Sequence, residues 1–379
     1  MRKSVGRVSD VLVRTVAPIV LALVAGGLLI ALLGADPFMF YANVWQLGTQ
    51  GAGLQQSLTA MAPLLLVALG LIIAFRAQLW NLGYGGSYLL SAAVVAGLAP
   101  DLFARLPYVI ALLALVLLAI LTGALLGIVP ALLKAYKGTN EVITSLMMSF
   151  IAISVANLLI RGVFKDPSVS VPQTKVLDLG NMLPFISGTQ IHIGVLVSLV
   201  IMCISHYVLT KTSLGLKIDM LGASPRAAAH AGVNVRRLIV LVFVCSSAMI
   251  ALAALVDMLG LWGYSRAEWN PGYGDKILPF VFLARLSPLA AIPLVGLYSV
   301  LATGGVIAAQ RAGISVDVLS VLVALVLFFM VAIEFLASRA TPKTKQLMGR
   351  SYLRRGLFGR TQADRADVRR ADAKGAQHE

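Results

Sequence analysis

The sequence predicts an all-α membrane protein of about ten transmembrane helices, with two units of inverted topology. Three observations carry that reading. The 379 residues are 59% hydrophobic and 12% charged, whereas a soluble domain averages about 25% charged residues; mean hydropathy is +0.89. Apolar runs near the ~20 residues that cross a bilayer as a helix recur along the chain. The hexapeptide Trp80-Asn81-Leu82-Gly83-Tyr84-Gly85 returns as Trp269-Asn270-Pro271-Gly272-Tyr273-Gly274, in a chain with only four Trp. Each copy follows a long apolar run, 58–75 or 238–262.

Residues 1–14 are read as a cytoplasmic N-terminus. The first run, 15–34, has basic residues before it but no small-residue cleavage site, so it reads as a retained span. Residues 35–57 are expected to form an outer loop, free of basic residues. Spans follow at 58–75, 84–99, 107–133 and 139–160. A second outer segment, 163–190, contains Pro167, Pro172 and Pro184. Next come a span at 191–210, a cytoplasmic segment at 211–237, and spans at 238–262, 277–284, 289–309 and 315–337. The element at 277–284 is too short to cross alone, and Pro279 and Pro288 bracket it. The units at about 58–160 and 238–337 each hold four elements. The first opens with an inward crossing and the second with an outward one, so the repeats are inverted.

A net charge of +15 would suit nucleic acid, but its distribution does not. Arg105, Arg161, Lys165, Lys175, Arg266, Lys276 and Arg311 fall in outer segments, and the other 24 of the 31 basic residues fall inside. That bias places both termini in the cytoplasm. The tail, 338–379, alternates Arg with Asp and is expected to be disordered or a frayed helix drawn to anionic headgroups. Cys203 and Cys245 lie in apolar runs as packing residues, and the four His match no metal-ligand spacing.

Polar residues in such a chain mark candidate sites. Gly83, Gly85 and Gly86 allow the backbone to leave helical geometry. A break inside the bilayer frees peptide groups that must pair with protein or line a wet cavity. Asn81 and Ser87 are placed to satisfy them, as a helix cap or as part of a solute pathway. Further on, Glu141 opens a helix beside Asn140, where a carboxylate complements the dipole. Asn140, Thr144 and Met147 share one helical face, and Glu141, Ser145 and Met148 the next. A polar face on a membrane helix looks into the bundle or a cavity; the alternative is a helix start stabilised at the interface. Asp257 would cost about 2.5–3.5 kcal/mol at mid-bilayer, so it is expected near the outer end of its span.

The most ordered cytoplasmic motif spans Gly222–Val233. Ser224 suits an N-cap and Pro225 the first turn. Ala227, Ala228, Ala229 and Ala231 give a short helix of little bulk, and Gly232 ends it. Such a helix suits docking into a groove on another protein; the alternative is an ordinary connecting loop.

Five segments carry a family likeness: Phe75-Arg76-Ala77-Gln78-Leu79-Trp80-Asn81-Leu82-Gly83, Thr139-Asn140-Glu141-Val142-Ile143, Thr212-Ser213-Leu214-Gly215, Gly222–Ala228 with Ala231-Gly232-Val233, and Gly272-Tyr273-Gly274. Over about 58–337 the chain resembles ABC-importer permease subunits of the branched-chain amino acid/simple-sugar class, most closely the nucleoside-type permeases. The resemblance implies that Gly222, Ser224, Pro225, Ala227, Ala228, Ala231 and Gly232 couple to an ATPase. The expected solute pathway comprises Asn81, Gly83, Gly85, Ser87, Asn140, Glu141, Thr144, Met147, Asp257 and Tyr273. The implied partners are cytosolic ABC ATPase subunits, a second permease copy or paralogue, an extracytoplasmic solute-binding protein, the lipid bilayer and a small polar solute. That solute is a nucleoside, with a simple sugar or other small solute as the alternative, and the expected location is the plasma (inner) membrane. No cofactor is expected on this chain: it has no Gly-x-x-x-x-Gly-Lys-[Ser/Thr] P-loop, so ATP and Mg belong to the partner ATPase.

Three departures touch the solute. Gly85-Gly86-Ser87 stands where the family has Glu-Gly-Gln, Leu278–Ala284 replaces an Ala-Leu-Leu-Gly run, and Ser149 replaces an Asn. A rival class, the ion-coupled secondary transporter, also uses inverted repeats but wants buried Asp/Glu ligands, of which the chain has few. An intramembrane enzyme would need a Ser/His, paired-Asp or metal constellation that the sequence lacks.

Overall fold

The computed structural model describes residues 2–340. The expectation for the tail therefore falls almost wholly outside the described residues. Within them the chain is helical apart from its linkers and one long extended segment at 162–193.

The chain opens with α1 (Arg2–Leu32) and α2 (Pro37–Thr49), which meet at a bend of 118°. The expected outer loop at 35–57 is thus largely helix. Asp36 caps α2 by accepting from Phe38 N at 2.8 Å, and Pro37 fits its first turn. Phe40 and Val44 are buried against Ala308 and Ala309 of α12 (Pro288–Arg311). At 13 residues, α2 is too short to stand out as an apolar run.

The centre is α3 (Gly51–Arg76), whose apolar window is 89% buried. It packs on α7 (Gly194–Lys211), α10 (Val235–Asp257) and α12. Helices α4 (Tyr84–Arg105), α5 (Tyr108–Leu132) and α6 (Glu141–Arg161) complete the first unit. Two helices end in π-helical turns: α5 continues through Leu133–Lys137 and α10 through Met258–Trp262. Between α7 and α10 lie the short α8 (Ser213–Ala223) and α9 (Pro225–His230). Last come α11 (Tyr273–Leu283), α12 and α13 (Val318–Ala340).

Seven of these helices are long and apolar enough to cross a membrane, or eight if the bent α1–α2 pair is one span. The expected count of about ten is not reached among the described residues. At 11 residues α11 is too short, and the apolar stretch of α13 is Val318–Ile333.

Lipid offers no hydrophobic drive between helices, so close packing of small residues must hold them together. Gly123 and Gly127 put α5 directly on the α10 backbone: a Cβ at Gly127 would meet the Phe243 carbonyl oxygen at 2.8 Å. A Cβ at Gly86 of α4 would meet Ser149 Cα of α6 at 2.6 Å.

The extended segment has one 3-10 turn, Leu179–Asn181, and lies along residues 259–267. Thr174 N donates to Ser265 O at 2.9 Å, Leu177 N to Gly263 O at 2.9 Å and Leu183 N to Leu259 O at 2.8 Å. Ala267 N donates back to Pro172 O at 3.0 Å.

Candidate solute pathway and docking loop

The repeated hexapeptide forms two helix breaks. In the first, between α3 and α4, Asn81 is 1% exposed. Its Oδ1 accepts from Gly83 N at 3.1 Å, and its Nδ2 donates to Ser246 Oγ (3.0 Å) and Ser247 Oγ (3.1 Å) of α10. Leu82 N donates to Ser145 Oγ at 3.1 Å and Gly86 N to Ser149 Oγ at 2.7 Å, both on α6. Peptide groups freed by the break are therefore paired with protein. Asn81 and Gly83 take part in this pairing, and Ser87, buried in the first turn of α4, donates its amide to Gly83 O at 3.0 Å as an ordinary helix bond. Gly85 is half-buried and borders open space.

The second break, between α10 and α11, closes the same turn. Asn270 Oδ1 accepts from Gly272 N at 2.9 Å. Asn270 is exposed, however, and Gly272 stands at φ +62° as it leads into α11. Glu268 just before it pairs with Arg161, and Glu268 N donates to Asn157 Oδ1 at 2.9 Å.

The two breaks meet face to face. The Tyr84 ring lies so close on Gly274 that no Cβ would fit between them, and the Tyr84 hydroxyl donates to Asp275. The Tyr88 hydroxyl donates to Asp257 Oδ2. Tyr88 and Tyr273 contact edge to face at 5.4 Å. A cleft is lined here by Tyr84, Gly85, Tyr88, Asn270, Tyr273 and Asp275. Asp257, 1% exposed, is the last residue of α10 before the π-helical turn. A buried carboxylate requires such a donor. Aromatic faces beside a carboxylate acceptor suit a solute that carries hydrogen-bond donors on a flat or apolar body.

Of the residues expected in the pathway, Gly85 and Tyr273 line this cleft, and Asp257 sits just behind it. The start of α6 is placed differently. Asn140 caps the helix, accepting from Val142 N at 2.9 Å, and Glu141 pairs with Lys134 Nζ at 2.7 Å. Thr144 Oγ1 donates to Asn140 O at 3.1 Å. Asn140 and Met147 point out of the chain; Ser145 and Ser149, a step round the helix, meet the first break. Tyr84, Tyr88 and Asp275 were not singled out in the sequence, although two lie within or beside the repeated hexapeptides. Lys276, expected in an outer loop, stands half-buried in the first turn of α11.

The capping signals at 222–233 form as read. Ser224 Oγ accepts from Ala227 N at 3.3 Å, Pro225 opens α9, and Gly232 follows at φ +81°. Arg226, Ala227, Ala229, His230 and Ala231 are exposed. Ala228 is wholly buried, so its side chain packs within this chain. Gly222 also faces inward, pressed against the carbonyl of Arg76 at the end of α3. Asp219 of α8 accepts from Arg76 Nε at 2.6 Å and Nη2 at 2.8 Å.

Residues 53–332 match the family described as branched-chain amino acid transport system / permease component. A glucose ABC transporter permease protein of Haloferax volcanii is 30% identical over 333 residues, covering 84% of this chain and 87% of that protein. A nucleoside ABC transporter permease protein of Lactococcus lactis is 26% identical, covering 87% and 93%. A guanosine ABC transporter permease protein of Bacillus subtilis is 26% identical, covering 89% and 99%. The match covers all but the first two residues of α3 and runs through α12, and so contains both breaks and the docking loop. The chain belongs to this permease family: it is a multi-pass membrane subunit of an ABC importer for small polar solutes, and it does not itself hydrolyse ATP.

Proposed function

We propose that this permease imports a nucleoside, with the cleft at Tyr84, Tyr88, Tyr273 and Asp275 as its solute-contacting waist. The carrying observation is the join between the breaks, where three phenol rings surround a narrow cleft with a carboxylate at its edge. A nucleobase offers a face to such rings, and its N–H groups and ribose hydroxyls offer donors to Asp275. The relatives named for nucleoside and guanosine transport support this reading. The relative named for glucose supports a second one, a simple sugar, whose hydroxyls would serve the same acceptor.

In this reading α9 docks on a cytosolic ABC ATPase, a second permease copy or paralogue faces this one, and an extracytoplasmic binding protein delivers solute. The ends carrying α8 and α9 lie in the cytoplasm, with both termini. Residues 263–283 make one crossing of coil plus helix and α13 makes another, which with the bent α1–α2 pair and the seven long helices completes ten crossings and two inverted repeats in the plasma membrane. Closure of the ATPases shifts the population of inward- and outward-open states by differential contact at α9.

Uptake in proteoliposomes holding the permease, its ATPase and its binding protein tests the solute. ATP-driven accumulation of tritiated guanosine is expected, and accumulation of glucose without guanosine would sink the nucleoside reading. Docking is tested by Ala229→Trp on the exposed face. Overpacking a fitted contact costs about 1–3 kcal/mol, so retention of the ATPase on purification should fall about tenfold. Retention at the wild-type level would rule α9 out as the docking element.

A further inference from the structure

We propose that Arg76 and Asp219 are a positioning pair that carries movement of the docking loop into the helix breaks. The proposal rests on α9 docking to the ATPase. Asp219 is the one acidic residue between 211 and 237, among five basic ones, yet its partner is Arg76 at the far end of α3. The bond is bidentate, at 2.6 and 2.8 Å. A guanidinium fork held by both carboxylate oxygens fixes direction as well as distance, which a lysine would not.

Gly222 supplies a second attachment to the same place. With no room for a Cβ against the Arg76 carbonyl, α8 is seated on the last turn of α3 by main chain as well as by charge. The docking helix α9 follows α8 after the single residue Ser224. A push on α9 therefore reaches Arg76 through one short helix.

Beyond Arg76 the path runs to both breaks. Phe75 stacks on Phe282 of α11, with centroids 5.2 Å apart and planes 10° apart. Trp80, in the first break, packs on Phe75 at 5.0 Å and on Phe282 at 6.0 Å. Phe282 lies on the helix that the second break opens. Displacement of Arg76 thus moves a three-ring cluster shared by the first break and α11. The pair is partly exposed, with side chains 20% and 43% accessible, so its contribution to stability is small. Removing it should uncouple the complex without unfolding it.

The test uses the full complex with its ATPase in nanodiscs. Cys203→Ser and Cys245→Ser remove the natural thiols, and Asn270→Cys reports on the second break through its rate of labelling by a maleimide. With Arg76 and Asp219 intact, trapping ATP with vanadate should change that rate by about fivefold, the lower end of ordinary coupling between sites. Asp219→Ala should keep the ATPase bound and abolish the change. The exchange Arg76→Asp with Asp219→Arg should restore it, whereas Arg76→Asp alone should not. The proposal is overturned if Asp219→Ala keeps the full change, if the exchange stays as unresponsive as the single variants, or if Asp219→Ala releases the ATPase. A complex with intact Arg76 and Asp219 that binds ATPase but shows no change also overturns it. Failure of the docking reading shows elsewhere, as ATPase retained by Ala229→Trp.

Discussion

The first break, 80–85, holds its asparagine buried and bonded on both sides, whereas the second, 269–274, leaves its asparagine exposed, although each closes on an asparagine carboxamide. At the first, the amide left over from the turn is spent on Ser246 and Ser247, which ties the break to α10. At the second, Asn270 faces out, and the ties are to main chain and to α6. A recurring local turn does not dictate its surroundings. The first break is built as an anchor and the second as a joint, and the solute cleft lies where they touch.

The largest expected effect breaks the anchor. Asn81→Leu strands two serine hydroxyls and the Gly83 amide, and buried unsatisfied groups cost about 1–3 kcal/mol each. Partners within a membrane bundle can find substitutes, so a net loss of about 2–3 kcal/mol is expected. Asn270→Leu should cost under about 1 kcal/mol, because its turn bond is open to water. Thermal unfolding in detergent compares the two, and equal losses would remove the distinction between anchor and joint.

A middle effect wedges the breaks apart. Gly274→Ala places a methyl against the Tyr84 ring and should cost about 1–3 kcal/mol. Tyr84→Ala in the same chain removes the ring and should recover most of that loss. A melting temperature that stays low in the double variant would show that the ring contact is not the cause.

The smallest effect is the most specific. Tyr84→Phe removes the hydroxyl that donates to Asp275 and keeps the ring. With Asp275 exposed, the loss in stability should be about 1 kcal/mol or less. Uptake should weaken through KM rather than through the amount of folded protein. Unchanged uptake would take Tyr84 and Asp275 out of the solute waist.

Features written in neighbouring residues were legible in the sequence. Ser224, Pro225 and Gly232 bound α9 as their capping chemistry requires, and the paired hexapeptides marked both breaks before any geometry was known. Features written across the chain were not. Asn81 finds Ser246, Tyr88 finds Asp257 and Arg76 finds Asp219 only once the helices are packed. The inward turn of Ala228 was hidden for the same reason: an alanine-rich helix looks equally bare on every side until its neighbours α8 and α10 are placed. The two serines in the apolar run of α10 were a usable signal, since hydroxyls on a membrane helix need a partner.

The segment that lies along residues 259–267 does so through peptide groups at Leu177 and Leu183, and through both peptide and hydroxyl at Thr174, whose Oγ1 accepts from Ser265 N at 3.0 Å. Main-chain pairing is indifferent to the side chain that rides on it, proline excepted because it has no N–H to donate. The side chains of Thr174, Leu177 and Leu183 are themselves buried, so the positions that the pairing leaves free to drift are the exposed ones between them, Lys175, Val176, Asp178 and Leu179. Sequence change there alters the face the segment presents while the main-chain pairing beneath it stays in place.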